Sequence, residues 1–176
     1  MTQFDKIYEI AADNYGLVTF AEAREEGITG GELHRYVKDE RLERIGFGLY
    51  KLTRYIPTAN DYYAEAVARV GADAYLYGES VIAMHRLAPT NPARVIVATP
   101  RRVRKALPSP IQVVHPKNDD PPTQYEGIPS QSIANAIRAA RSSIMVERLR
   151  DATRNARREG LISRYDETTL LKELNV

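Results

Sequence analysis

Apolar residues recur in the first fifteen positions at Phe4, Ile7, Tyr8, Ala11 and Tyr15. The steps i, i+3, i+4, i+7, i+11 place them on one face of a helix. Gly16 ends that helix. Leu17 and Val18 lead into Thr19, which stands three residues before Glu22 in capping-box spacing and so opens a second short helix. Gly27 closes it at the place where a left-handed residue is favoured. A third helix is predicted over residues 29–39, opened by the capping-box pair Thr29 and Glu32, with Ile28, Leu33 and Val37 facing inward. Three helices with a tight glycine turn between the second and third make a helix-turn-helix. Leu42, Glu43, Arg44, Ile45 and then Leu49, Tyr50, Lys51, Leu52 flank Gly46, Phe47 and Gly48. Glycines allow the positive φ that a hairpin turn needs, so this stretch reads as a β-wing with Phe47 exposed at its tip and Tyr50 against the helices. The apolar alternation is imperfect and does not fix the register.

A junction is predicted at residues 55–58, which divides the chain into a DNA-binding domain, residues 1–56, and a C-terminal domain, residues 57–176. In the second part Tyr63, Ala66, Val67 and Val70 form a helical stripe closed by Gly71. Residues 72–77 are short and aromatic, and residues 79–87 read as a helix. Residues 95–98 and 111–114 are β-branched runs of strand length bounded by prolines. Residues 118–123 are a polar loop, and 125–128 a short strand. Ser130 stands where it would cap a helix carrying Ile133, Ile137, Ala140 and Ile144. A further helix carries Val146, Leu149, Thr153 and Ala156, and Asp166 would cap a last one with Leu170, Leu171 and Leu174. The fold class is α/β (α+β): a winged helix-turn-helix followed by a mixed α/β domain.

Composition narrows the function. Hydrophobic residues make up 43% of 176 and charged residues 27%, which is ordinary for a folded domain. No apolar run reaches the ~18–20 residues of a membrane span. The first residues carry acids early and lack a basic-then-apolar signal pattern. With no cysteine, disulfides and thiolate chemistry are excluded, and a reducing cytoplasm is the expected compartment. The net charge of +2 hides an uneven distribution. Residues 1–56 hold 8 Lys/Arg and 10 Asp/Glu, yet residues 33–56 hold 6 basic and 3 acidic, and residues 94–117 hold 6 basic and none acidic. Positive charge is local, as a phosphate-facing patch requires.

The third helix carries the sharpest chemistry. Gly30 and Gly31 leave its N-terminus bare, and its free N–H groups and dipole suit an anionic backbone. Thr29, Gly30, Gly31, His34, Arg35 and Lys38 are the expected groove residues, with Arg35 able to present paired donors to a guanine edge. Arg41, Arg44, Phe47, Lys51 and Arg54 are wing-side candidates for phosphate or minor-groove contact. Arg101, Arg102, Arg104 and Lys105 are four cations in five positions that repel one another without a counter-surface. They form a second basic patch, suited either to nucleic-acid backbone or to an acidic protein surface. The arginines at 138, 141, 148, 154, 157 and 158 are spread along helices among Glu147, Asp151 and Glu159, and read as a solvated face.

Catalytic patterns are missing. His34, His85 and His115 are far apart and lack metal-ligand spacing. Asp119 and Asp120 sit in a proline-rich loop without the strand-borne acid and lysine of a nuclease. Ser80, after Gly78 and Glu79, lacks the second glycine of a nucleophile elbow. No glycine-rich loop has a phosphate-loop pattern. No catalytic residue, metal site or cofactor is expected.

In order, Gly16, Leu17, Val18, Thr19; Leu33, His34, Arg35, Tyr36, Val37; Leu42, Glu43, Arg44, Ile45; and Gly48, Leu49, Tyr50 resemble the AbiEi-type antitoxin family of type IV toxin–antitoxin, or abortive-infection, systems. Residues 78–87, the strand at 95–99 and Gly127, Ile128, Pro129, Ser130 are similar too. The resemblance implies a two-domain protein that binds double-stranded operator DNA and represses its own operon; a helix-turn-helix reader is expected on inverted repeats bound by two copies. It also implies neutralisation of a nucleotidyltransferase-like toxin without a required stable complex. One departure follows Ser130, where relatives show an Arg and Asp pair and this chain has Gln131, Ser132, Ile133, Ala134, Asn135 and Ala136. Two rivals come from other classes: a ligand-sensing repressor, whose sensor would be residues 57–176, and a metal-dependent DNA nuclease.

Overall fold

The computed structural model describes residues 1–118 and 120–175; Asp119, one of the two loop aspartates, lies outside the described residues. The fold is α+β, and the chain divides into two compact units, Met1–Arg69 and Val70–Val176. The division falls later than the predicted junction after residue 56, because a helix over Asp61–Val70 is bonded to the wing through Glu65 and Arg69.

The first unit runs α1 (Gln3–Ala12), β1 (Leu17–Thr19), α2 (Phe20–Glu25), α3 (Gly30–Lys38), β2 (Leu42–Gly46), β3 (Leu49–Leu52) and α4 (Asp61–Val70). This is a winged helix-turn-helix. Capping boxes open α1, α2 and α3 at Thr2, Thr19 and Thr29, each with an acid at N3 returning the bond. The core gathers Ile7, Ala11, Val18, Ala23, Ile28, Leu33, Tyr36, Leu42 and Leu52. One expected inward position differs: Tyr8 is 53% exposed. Val37 packs against the core half-buried, as expected, and its neighbour Tyr36 is buried, edge-on to Phe4 at 5.1 Å.

The strands form an antiparallel sheet in the order β1-β3-β2. The sequence does not announce β1, whose three residues are too few to show alternation; its β-branched Val18 and Thr19 are the only hint. Gly16 precedes it at φ 74°, and a Cβ there would lie 2.6 Å from the Tyr55 ring, so only glycine fits. The wing's register is interrupted: Arg44 pairs with Tyr50 and Gly46 with Leu49, so Ile45 is an extra residue, a β-bulge.

The second unit runs β4 (Tyr75–Leu76), α5 (Glu79–Met84), β5 (Val95–Ala98), β6 (Ile111–Val114), β7 (Thr123–Tyr125), β8 (Ile128–Ser130), α6 (Ile133–Ala139), a 3-10 turn, α7 (Val146–Arg158) and α8 (Arg164–Glu173). Its mixed sheet has the order β6-β5-β4-β8-β7, with β5 parallel to β6 and β4 parallel to β8. Ile82, Leu87, Ile137, Leu149, Ala152, Ala156 and Leu170 form the helical core. Some boundaries differ from those expected. Ser130 ends β8, and Ser132 is the cap of α6; Ser163 caps α8, with Asp166 as its N3 partner. The single strand expected at 125–128 is instead the turn region of the β7–β8 hairpin.

Candidate nucleic-acid interface

The N-terminus of α3 is held by its own residues. The Thr29 hydroxyl accepts from the Glu32 N–H at 3.2 Å and donates to Glu32 Oε2 at 3.0 Å, while the Thr29 N–H donates to the same oxygen at 2.8 Å. These bonds, the backbone one first and the hydroxyl one second, hold the Glu32 carboxyl below the ordinary range. The expected groove residue Thr29 thus spends its hydroxyl on the cap.

Gly30 and Gly31 are the first two helical residues and are exposed. Neither needs to be glycine for the fold. A Cβ on Gly30 would meet Phe20 at an ordinary 3.6 Å, and one on Gly31 would meet only the Thr29 hydroxyl at 3.8 Å. The pair therefore leaves a bare backbone surface that the protein itself does not require. His34, Arg35 and Lys38 stand exposed on the same helix, and among the described residues none of them is in an ion pair. The Arg35 guanidinium lies 5.2 Å from the Tyr36 ring centre.

The wing candidates separate. Phe47 is 82% exposed at the tip, and Arg44 is exposed on β2 with its Nε 3.4 Å from the Gly46 carbonyl. The Phe20 N–H donates to the Gly48 carbonyl at 2.8 Å, tying the turn to the start of α2. Arg41 is stacked on Phe4, its guanidinium carbon 3.4 Å from the ring centre. It shares a cleft of about 570 Å³ with Phe4, Tyr8 and Arg54. Lys51 is engaged within the protein: its ammonium donates to Glu65 at 3.2 Å and lies 3.9 Å from Asp61, so it buttresses the wing. Sequence reasoning misses Glu65 and Arg69 as wing residues. Their i,i+4 spacing is visible, but nothing in it says that α4 returns to the hairpin.

In the second unit Arg101 is ion-paired with Asp73, while Arg102, Arg104 and Lys105 are exposed on the loop that joins β5 to β6. The dispersed arginines are largely engaged: Arg138 grips both oxygens of Glu173, at 2.8 and 3.0 Å, and Arg148 donates to the Pro89 carbonyl. Ser80 is fully buried, and its hydroxyl accepts from the Ile96 N–H at 2.8 Å, a structural bond that ties α5 to β5. Gln131 Oε1 accepts from the Gly78 N–H at 2.9 Å. The His85 ring packs against Tyr125, tilted by 50° with centres 4.0 Å apart, and burial pushes its pKa down. A cleft of about 600 Å³ is lined by Tyr75, Lys117, Asp120, Gln124 and several prolines. Among the described residues no three His, Cys, Asp or Glu side chains gather as a metal site, and no helix is long and apolar enough to cross a membrane.

Residues 5–53 match the model of a family described as transcriptional regulator, AbiEi antitoxin. The matched span begins in α1 and ends just after β3, so it takes in the helix-turn-helix and the wing. The resemblance drawn from the sequence is to this same family, which is regulatory by description. A comparison with curated proteins found no match.

Proposed function

We propose that the chain is the antitoxin of a type IV toxin–antitoxin system and the DNA-binding repressor of its own operon, acting in the cytoplasm against a nucleotidyltransferase-like toxin. The observation that carries the DNA reading is the glycine pair at the start of α3, open to solvent and unnecessary to the fold, within a unit that matches a family of transcriptional regulators. N–H groups there donate to a phosphate, and Arg35 and Lys38 follow along the groove. Phosphate neutralisation supplies most of the affinity and base contacts from α3 supply selectivity, on an operator of inverted repeats bound by two copies. The second unit serves antitoxin action or regulation, and Arg102, Arg104 and Lys105 are its candidate contact residues.

A gel-shift on the chain's own promoter region tests the reading; the expected result is tighter binding than to random duplex of equal length, and equal binding sinks it. Arg35→Ala is expected to weaken operator binding by about 1–3 kcal/mol and to relax preference at one base pair. Equal weakening on all sequences would make Arg35 a phosphate contact instead. A second reading, a ligand-sensing repressor, is favoured by the cleft beside Tyr75 and Lys117, whose size suits a small molecule. A metabolic operon as the neighbouring genes would favour it, and a toxin gene the first reading.

A further inference from the structure

We infer that Arg69 is a positioning residue for the wing, which makes α4 part of the DNA-reading apparatus although it lies beyond the matched residues 5–53. The inference rests on the reading above, in which the wing meets DNA.

The bulge creates the need. Ile45 has no partner in the β2–β3 register, so its carbonyl lacks a place in the ladder. The Arg69 guanidinium donates to that carbonyl through Nη1. Its Nε and Nη2 donate to Glu65 Oε1 at 3.3 and 3.0 Å, which fixes the plane of the guanidinium. The other oxygen, Glu65 Oε2, accepts from Lys51 on β3 at 3.2 Å. Lys51 in turn lies 3.9 Å from Asp61 Oδ2, and Asp61 Oδ1 is held by the Thr58 N–H and hydroxyl at 2.9 and 2.6 Å. One helix thus grips both strands of the hairpin: β2 at Ile45 and β3 at Lys51.

Position and burial give the grip its purpose. The side chains of Lys51, Asp61, Glu65 and Arg69 are between 11% and 28% exposed, so water competes less for these bonds than for surface pairs. The clasped residue Ile45 immediately precedes Gly46, Phe47 and Gly48, a tip with little stiffness of its own. On the other side the Phe20 N–H holds the tip at the Gly48 carbonyl. Arg44 and Phe47, exposed beside and at the tip of the wing, are therefore aimed by Arg69 from one side and by α2 from the other. Lysine cannot replace Arg69, because a single ammonium does not span the carbonyl and Glu65 with the same fork.

The test uses the full chain with Arg69→Ala and Arg69→Lys. Amide hydrogen exchange is followed at residues 46–49, in the β1–β3 ladder and at Phe20. The expected result is exchange at the tip on the order of tenfold faster in Arg69→Ala and intermediate in Arg69→Lys, with the ladder unchanged. Unchanged tip exchange overturns the inference, and so does uniform acceleration through the unit, which would make Arg69 only a general stabiliser. On promoter DNA, hydroxyl-radical footprints of Arg69→Ala should lose the wing-side protection and keep that of α3. Adding Phe47→Ala to it should weaken binding no further, and additive losses would count against the inference. If the native chain shows no promoter preference, the DNA reading falls while the exchange data still decide whether Arg69 positions the wing.

Discussion

The α3 helix and the wing are neighbours in sequence and are built on opposite plans. The start of α3 is set by residues within four positions of one another, the Thr29–Glu32 box, and its body by Leu33 and Tyr36 in the core. The wing is a hairpin interrupted by a bulge and held by residues about twenty positions further on. A locally determined helix keeps its shape wherever it is carried. A hairpin fixed from a distance keeps its shape only while the distant element stays in place. In a DNA-reading unit this separates a constant reader from an adjustable one.

The contrast is sharpest in stability. Leu33→Ala empties a fully buried site and is expected to cost about 2–5 kcal/mol, whereas Phe47→Ala, at the exposed tip, should change stability by less than about 0.5 kcal/mol. Denaturant unfolding of the two variants measures both, and a comparable loss from Phe47→Ala would mean that the wing tip is packed and the contrast false.

A smaller effect tests the local nature of the α3 cap. Thr29→Ala should cost about 1 kcal/mol. Because bonding depresses the folded pKa of Glu32, the cap's contribution is complete above the ordinary carboxylate range and is lost as pH falls through the depressed value. Removing the hydroxyl should move the Glu32 carboxyl part of the way back up, since the bond from the Thr29 N–H remains. An NMR titration of Glu32 in both proteins shows the shift, and an unmoved carboxyl would show that the box is not what holds it.

The smallest expected change is the most diagnostic. Gly31→Ala fits without a clash and should raise stability by up to about 1 kcal/mol, yet weaken operator binding by filling the surface a phosphate approaches. Thermal unfolding beside a gel-shift reads both signs. If stability and binding rise together, the glycine is not there for close approach.

The same contrast explains which features are legible in the sequence. Capping boxes at Thr19 and Thr29 involve residues three apart, so the second and third helices of the first unit can be read directly from the order of residues. The exposed Phe47 between two glycines is legible for the same reason. The ion pairing of Lys51 is not legible, because a lysine on a hairpin looks the same with or without Glu65 beside it; only the return of α4 supplies that partner. The Ile45 bulge leaves no compositional mark, and the three-residue β1 leaves only its β-branched Val18 and Thr19. In the second unit Ser130 and Asp166 resemble caps because several polar residues close together suit the role, and the true caps, Ser132 and Ser163, sit two or three positions away. The expected groove residues Gly30, Gly31, His34, Arg35 and Lys38 are exposed on one helix, which is as much as their order in the chain foretells.

The bulge at Ile45 also bears on solubility. In the order β1-β3-β2, β2 is an edge strand, and its outer side has no strand beside it in this sheet. An unbroken edge of this kind is a template on which a second copy of the chain can add a strand. The extra residue throws the ladder out of step along β2, and the exposed Glu43 and Arg44 place charge beside it. The exposed hairpin is thereby kept from zipping onto its own copies, so the irregularity that demands an anchor also guards the molecule against aggregation.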